Sequence, residues 1–530
     1  MKHLIAISGP VASGKSVLAA ELGRRFKTHR ISTRQLLLDT GVANERNALI
    51  EAGKRLDRET DGAWVREGSR KYVDQHSDCD VVLIDAVRTK QQIEHLRETY
   101  GERFVHIHVD VPFEVAKIRY ESRGAEWDRG TSYDQVRADP TENGVWSLGE
   151  IADRIVLNVN CDPASLLARG AAGLKLFPGE PERLVDVLVG GQYGSEGKGN
   201  VCGYLAQDYD VLVRVGGPNA GHKVAYPKQK YVQLPSGTRG NPRTRILIGA
   251  GATIWPEQIL KEIAECGLTA DRLVIDEQAM IIEQSDREIE APLAAISSTR
   301  QGVGTATARK IIGRGAKPPF GDPVRLAHEH PDLKPYIGSV TRELEDAYAA
   351  GKRVMLEGNQ GTGLSLHHAH YPNVTSRETT ASGCLADAGI SPHRVRRIIM
   401  VTRTYPIRVG GNSGWMALPI NTQIVSDRSG IPKHEIDETE IGTISGVPRN
   451  IAEFDWEQLR RSSVLNGATD IALTFADYIT IENRKARRFD QLSAETKAFI
   501  SEVEHVANAP VSLIATRFHR FGIIDRRTWR

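Results

Sequence analysis

Two glycine-dense loops with a lysine hold the first recognisable chemistry. "GPVASGKS", Gly9 to Ser16, spells G-x-x-x-x-G-K-[ST]. The backbone N–H groups of such a loop and of the helix that follows point at phosphates. Gly9, Ser13 and Gly14 would form the cradle, Lys15 would reach the β/γ-phosphates, and Ser16 would place a hydroxyl on Mg²⁺. The second loop, "GGQYGSEGKGN", differs. Five residues separate Gly191 from Gly197, where the first motif has four, and Gly199 stands after Lys198 where Ser or Thr is required. Gly194, Glu196, Gly197, Lys198 and Gly199 can still grip a nucleotide's phosphates, but Mg²⁺ would need another ligand.

Other residues extend the first loop's chemistry. Asp85 ends "VVLIDAVR", where a second strand presents a carboxylate to the water shell of a metal. Alone it reads equally well as a helix N-cap. Arg119 and Arg123 in "IRYESRG" are four apart and share a helix face. Such a pair is either a solvated face or a lid that clamps transferring phosphates. This half resembles the small P-loop nucleotide kinases, which makes Arg34 in "ISTRQLL" and Arg88 in "DAVRTK" candidate acceptor contacts.

These residues need elements to hold them. The chain of 530 residues is long enough for more than one domain. "HLIAIS", "VVLIDA" and "FVHIHVDV" read as buried parallel strands with amphipathic segments between them, which is α/β sequence. The pattern breaks at "KLFPGEPER". The expected domains are 1–176, a P-loop kinase-like parallel sheet, and 184–530, a larger α/β domain whose first strand starts at Leu184. That larger domain is βα-like early, in "TRILIGAGATI" and "GKRVMLEGNQG", and loop-rich around "YPIRVGGNSGWMALP", where a site is expected.

Composition bounds the partners. A formal net charge of +2 gives no electrostatic reason to expect nucleic acid or an anionic membrane. No apolar run approaches the roughly 20 residues that span a bilayer, and "MKHLIAISG" runs straight into a phosphate loop rather than a cleavage site. The five cysteines are scattered without a C-x-x-C pair, which fits a reducing cytoplasm. Small-molecule partners and a cytoplasmic location are the expectation.

Beyond the second loop a series of segments follows in order: "GGPNAGHKV" (Gly216 to Val224), "STRQGVGTA" (Ser298 to Ala306), "EGNQGTGLSL" (Glu357 to Leu366), "YPNVTSRETTASG" (Tyr371 to Gly383) and "PIRVGG" (Pro406 to Gly411). With "GSEGKGN", similar to the signature G-D-E-G-K-G-K, they resemble the adenylosuccinate synthetases. The resemblance implies a ligase. It phosphorylates O6 of a purine nucleotide from a nucleoside triphosphate, and the amine of L-aspartate then displaces that phosphate. The first step needs a base for the N1 proton and a cation for charge on O6. On this resemblance His222 contacts the transferring phosphoryl group, Lys198 and the loop amides grip phosphate, and the Gly221 carbonyl is a Mg²⁺ ligand. Asn219, Ser298, Thr299, Gln360, Thr375 and Val409 contact the substrate nucleotide, and Gln360 also joins the catalytic set. Arg309 or Arg314 matches an arginine lent across a homodimer interface. Arg449 in "SGVPRN" matches the arginine that grips aspartate's carboxylate. Alone, His222 would read as an ordinary histidine and Gln360 and Thr375 as turn residues; their joint order lifts them. "HHAHY" (His367, His368, His370) has poor spacing for a metal and stays unassigned.

Three positions depart from the family pattern. Ser195 replaces the aspartate that serves as catalytic base, and a serine cannot do that work unaided. Val447 replaces an arginine that contacts the ribose 2′-hydroxyl. The donor-base motif T-K-L-D becomes "LTFADY", with Phe475 for lysine and Asp477 kept. These departures resemble the phage-type 2-aminodeoxyadenylosuccinate synthetases, whose substrate is dGMP. A small Ser195 makes room for the 2-amino group and offers its oxygen as an acceptor. The expected substrate is therefore dGMP- or GMP-like with IMP admitted, the donor ATP or GTP with dATP admitted, and Mg²⁺ is required. Two other readings stay open: an ordinary IMP-dependent synthetase, and a nucleotide-sensing protein with an inactive synthetase domain.

Overall fold

A parallel sheet needs apolar residues on both faces, and the strand sequences supply them. The computed structural model describes residues 2–123, 131–174, 176–177, 182–315, 317, 319, 321–442 and 446–529. The chain divides into two compact units, Met1–Gly179 and Glu180–Arg530. The division falls inside "KLFPGEPER".

In the smaller unit β1 (His3–Ser8), β2 (Thr28–Ser32), β3 (Val81–Asp85), β4 (Phe104–Asp110) and β5 (Arg154–Leu157) form one sheet in the order β2-β3-β1-β4-β5. Every pairing is parallel. Alternate residues of β1 feed opposite layers. Leu4 and Ala6 pack with Val82, Ile84 and Leu96, while Ile5 and Ile7 pack with Leu83, Ile107 and Leu18. All four β1 residues are fully buried. Burying a leucine or isoleucine contributes about 1.5–3 kcal/mol, so this central strand anchors the unit. Helix α1 (Lys15–Arg25) starts directly after the first phosphate loop.

The larger unit is built on a ten-stranded sheet. Its strands in chain order are β6 (Val185–Gly190), β7 (Val211–Arg214), β8 (Arg245–Ile248), β9 (Leu273–Asp276), β10 (Ile337–Gly338), β11 (Val354–Glu357), β12 (Val395–Arg403), β13 (Asp470–Thr474), β14 (Val511–Ala515) and β15 (Ile523–Asp525). The spatial order is β10-β9-β8-β7-β11-β6-β12-β13-β14-β15. Only the last pair, β14 with β15, is antiparallel. One layer gathers Val187, Val213, Leu356 and Met400, and the other Leu188, Leu212, Met355 and Val401.

This topology brings distant sequence together. In open α/β sheets, ligands sit outside the carboxyl ends of the strands. Strands β7, β11, β6, β12 and β13 are consecutive in space. They end on Arg214, Glu357, Gly190, Arg403 and Thr474, so those ends form one row. Among the described residues no helix is long and apolar enough to cross a membrane.

Candidate functional site

The first phosphate loop runs from β1 to α1 as its motif requires. Gly14 has φ +101°, and a Cβ there would lie 2.2 Å from Asn158 Nδ2. Only glycine fits that turn. Asn158 pins the loop by donating to the Ser13 carbonyl at 2.7 Å, and the Ser13 hydroxyl is buried without a partner among the described residues. Lys15 Nζ folds onto the loop, donating to the carbonyls of Gly9 and Pro10 at 2.6 and 2.7 Å. Burial, then the nearby charge of Arg88, brings its pKa down to about 7. A polyanionic phosphate at the loop would restore its charge. Ser16 is exposed on the first turn of α1.

Asp85 ends the neighbouring strand and is close enough to raise Lys15's proton affinity, but Arg30 is bonded to its carboxylate. The two lid candidates lie together at the C-terminal end of one helix. The helix α2 (Phe113–Ser122) carries Arg119, whereas Arg123 is its C-cap, lying over the Tyr120 ring at 4.8 Å. The charges of Arg88 and, more weakly, Arg123 both lower the proton affinity of Lys15. Arg88 is ion-paired with Glu142, and Arg34 donates to Asn44 Oδ1 at 2.6 Å.

In the larger unit the second loop joins β6 to helix α3 (Lys198–Leu205) and is tied to the row of strand ends. Glu196 is fully buried. Its Oε1 accepts from the N–H groups of Gln192 and Gly194 at 3.0 and 2.7 Å, and its Oε2 from Lys198 Nζ at 2.6 Å. Lys198 also reaches the Gly194 carbonyl at 3.2 Å. Thr474 donates to the Glu196 carbonyl at 2.6 Å, and Arg403 Nη1 to the Ser195 carbonyl at 3.2 Å. Glu196 thus ties two loop amides and Lys198 together. Gly197 caps α3 with φ +86°. Gly199 has no room for a side chain: a Cβ would meet His222 Cβ at 2.6 Å. Ser195 is half-buried in this loop.

His222 is 5% exposed and its Nδ1 is bonded to Glu357 Oε1. Ser236 donates its hydroxyl to Oε1 at 2.5 Å and its N–H to Oε2 at 2.7 Å. Arg214 Nη1 lies 3.5 Å from Oε1. Burial alone would raise the Glu357 pKa, yet Arg214 and His222 hold it down to about 2. An ionised carboxylate only accepts, so Nδ1 carries the ring proton and Nε2 presents its lone pair. Burial and then Arg214 bring His222 down to about 4, and Nε2 has no partner among the described residues. This histidine is a neutral, oriented group beside a phosphate loop.

The remaining expected contacts fall on the surrounding loops. Thr299 donates to Asn219 Oδ1 at 3.2 Å. Gln360, at φ +56°, donates from Nε2 to Thr375 Oγ1 at 2.5 Å. Ser298 Oγ accepts from Arg300 N at 3.2 Å. The Val409 carbonyl accepts from Asn450 Nδ2 at 3.3 Å. Gly221 is half-buried just before the short strand His222–Ala225, and Val447 is 43% exposed. Arg449 Nη1 donates to Glu440 Oε2 at 3.2 Å. Arg484 Nε donates to Asp477 Oδ2 at 3.0 Å, so this carboxylate already has a cationic partner. His367, His368 and His370 are exposed, and no metal-competent cluster of three or more His, Cys, Asp or Glu occurs among the described residues.

The pair of candidate trans arginines separates cleanly. Arg309, on the helix α4 (Val303–Ile312), is 4% exposed. Its Nε and Nη2 clasp both oxygens of buried Asp286 at 2.8 and 2.7 Å, and Nη1 donates to the Asp322 carbonyl at 2.9 Å. Within this chain the Arg309 guanidinium is thus committed to Asp286 and to the Asp322 carbonyl. Arg314 is exposed.

Sequence reading passed over Glu357, Arg214, Arg403 and Glu440 as functional residues. The first three share a signal: each is a charged residue ending an apolar strand run, in "VMLE", "VLVR" and "MVTR". A charge at the end of a buried strand needs a partner at the strand ends.

Comparison with known proteins bears on both units. The family model of adenylosuccinate synthetase matches residues 187–318 and 324–483, and a model described as an AAA domain matches residues 5–143. The adenylosuccinate synthetase of Pyrococcus horikoshii is 36% identical over 352 residues, covering 64% of this chain and 98% of that protein. That of Methanocaldococcus jannaschii is 35% identical over 353 residues, covering 64% and 96%. Among solved structures, the succinoaminodeoxyadenylate synthetase of cyanophage S-2L, bound to dGMP and to dATP as an energy donor, is similar with a TM-score of 0.54 at 27% identity. The match covers 66% of this chain and 96% of that one. The fully ligated adenylosuccinate synthetase of Plasmodium falciparum shares the fold with a TM-score of 0.56 at 21% identity, covering 65% and 100%.

Proposed function

Because the chain belongs to the adenylosuccinate synthetase family, we propose that its larger unit joins L-aspartate to C6 of a 2-amino-6-oxopurine nucleotide, dGMP or GMP. N1 gives up its proton as O6 attacks the γ-phosphorus of the donor, and the nucleoside diphosphate leaves. The aspartate amine then attacks C6 and phosphate leaves. Lys198 and the loop amides hold the transferring group, and His222, oriented by Glu357, faces it. Gln360, Thr375, Asn219, Ser298, Thr299 and the Val409 carbonyl hold the purine nucleotide, and Arg449 grips aspartate's carboxylate.

Ser195 carries the substrate reading. A half-buried serine stands in an otherwise complete phosphate grip, and it is smaller than the carboxylate the family places there. Val447 adds to it: valine offers no donor to a ribose 2′-hydroxyl, so a deoxy sugar loses nothing at this position. The S-2L enzyme's bound dGMP supports the same direction. The oriented Glu357–His222 pair and the Glu440–Arg449 pair argue against a purely sensing role. Incubating the protein with aspartate, Mg²⁺, ATP and each of dGMP, GMP, dIMP and IMP, with mass-spectrometric detection of succinyl adducts, tests the proposal. Adducts from IMP and none from dGMP or GMP would refute it.

The family's donor is GTP with Mg²⁺. In this chain Arg484 already occupies Asp477, so guanine's N1–H and 2-amino donors would have to compete with an ion pair. An adenine donor, ATP or dATP, needs no such carboxylate. The oxygen donors near both loops suit Mg²⁺: the Gly221 carbonyl in the larger unit, and Ser16 with Asp85 in the smaller one, where the ion would neutralise phosphate charge. Arg314 is the residue assigned to cross a homodimer interface.

The smaller unit we read as a (deoxy)nucleoside monophosphate kinase. Its support is the complete first loop between strand and helix and the positive charge that Arg88 and Arg123 add around Lys15. Lys15→Ala is expected to lower nucleoside monophosphate phosphorylation by about 10²-fold or more, since a positioned cation on the transferring group is worth several kcal/mol. Coupled diphosphate detection reads this. Unchanged phosphorylation would remove the kinase assignment.

A further inference from the structure

Glu440 lies in an acidic run, "HEIDETE", that reads as a solvated helix face. Its neighbours Glu435, Asp437 and Glu438 remain at least partly exposed, yet Glu440 is 2% exposed. A carboxylate withdrawn from water must be paired and hydrogen-bonded. Glu440 is. Its Oε1 accepts from Arg403 Nη2 at 2.6 Å and from the Tyr478 hydroxyl at 2.8 Å. Its Oε2 accepts from Arg449 Nη1 at 3.2 Å, and its backbone carbonyl accepts the Arg449 N–H at 3.0 Å. Glu440 therefore holds both the main chain and the guanidinium of Arg449.

Its other partner leads to the phosphate loop. Arg403 is buried at the end of β12, stacks on Phe475 with its guanidinium carbon 3.7 Å from the ring centroid, and donates to the Ser195 carbonyl. One carboxylate thus sits between two guanidiniums. One of these holds the loop that carries Ser195, and the other is the aspartate grip.

We propose that Glu440 is a positioning residue for aspartate: by sharing its carboxylate between Arg403 and Arg449 it fixes Arg449 in register with the Ser195 loop. This rests on the reading of Arg449 as the aspartate-binding arginine. Arg449 is only partly buried, and Glu440 fixes its guanidinium through the carboxylate and its main chain through the carbonyl. The Tyr478 hydroxyl fixes the carboxylate in turn.

The test separates aspartate binding from phosphoryl transfer. In Glu440→Gln the amide keeps the shape but not the charge, so Arg403 and Arg449 lose the carboxylate they share. The expected result is a KM for aspartate raised about tenfold or more, with the KM for the purine nucleotide within about threefold. Positional isotope exchange of labelled ATP without aspartate, which reads O6 phosphorylation alone, should also persist. Glu440→Asp should recover part of the aspartate KM. If Glu440→Gln does not fold, Tyr478→Phe decides, with a KM for aspartate raised about threefold expected. An unchanged aspartate KM in the folded variant, or equal loss of both KM values and of isotope exchange, overturns the proposal. Absence of any succinyl product from the unaltered protein would instead overturn the underlying reading.

Discussion

Glu357→Gln should lower succinyl-nucleotide formation by about a hundredfold or more while the kinase activity proposed for the smaller unit is unchanged. The carboxylate of Glu357 performs two tasks at once. It accepts from His222 Nδ1, which fixes the tautomer that leaves Nε2 facing the site. It also neutralises Arg214, buried at the end of the adjacent strand β7. A glutamine can present its NH₂ to Nδ1, which reverses the ring's donor and acceptor ends, and it leaves Arg214 without a counterion. The loss should appear in turnover more than in nucleotide binding, because the phosphate grip proposed for Lys198 and the loop amides does not depend on Glu357. Steady-state kinetics for both substrates measure it. Turnover within threefold of the parent would mean that His222 needs no orienting partner.

Ser195→Asp should invert the purine preference. The added carboxylate occupies the space assigned to the 2-amino group and returns a base next to N1. The ratio of kcat/KM for dGMP over IMP is expected to fall about a hundredfold, most of it through loss of dGMP. Adding Val447→Arg should then favour ribose over deoxyribose by a further factor of about ten, since a guanidinium hydrogen bond to the 2′-hydroxyl is unavailable to a deoxy sugar. Val447 is exposed, so the larger side chain can be accommodated. If Ser195→Asp weakened both purines equally, Ser195 would be a loop residue with no part in discrimination.

The strands were legible because both-face burial writes itself as continuous apolar runs. "HLIAIS" and "VVLIDA" became β1 and β3 almost residue for residue. The first phosphate loop was legible because its chemistry forces glycine and lysine at fixed spacing. The second loop's Glu196 was visible as a motif letter, but its task of holding the loop amides and Lys198 was not. Partnership through space leaves no local trace: Glu357 and His222 are 135 residues apart. Glu440 shows the same limit, since an acidic run looks identical whether a member faces water or two arginines. Arg309 and Arg314 were indistinguishable in sequence. Asp286, 23 residues upstream of Arg309, separates them.

The account stands on the choice of purine. The most direct measurement is competition: equimolar dGMP and IMP, with saturating aspartate, ATP and Mg²⁺, and the two succinyl products quantified by mass spectrometry at early time. A succinyl product retaining the 2-amino group should exceed the IMP-derived product by at least about tenfold. A mixture dominated by the IMP-derived product would contradict the account.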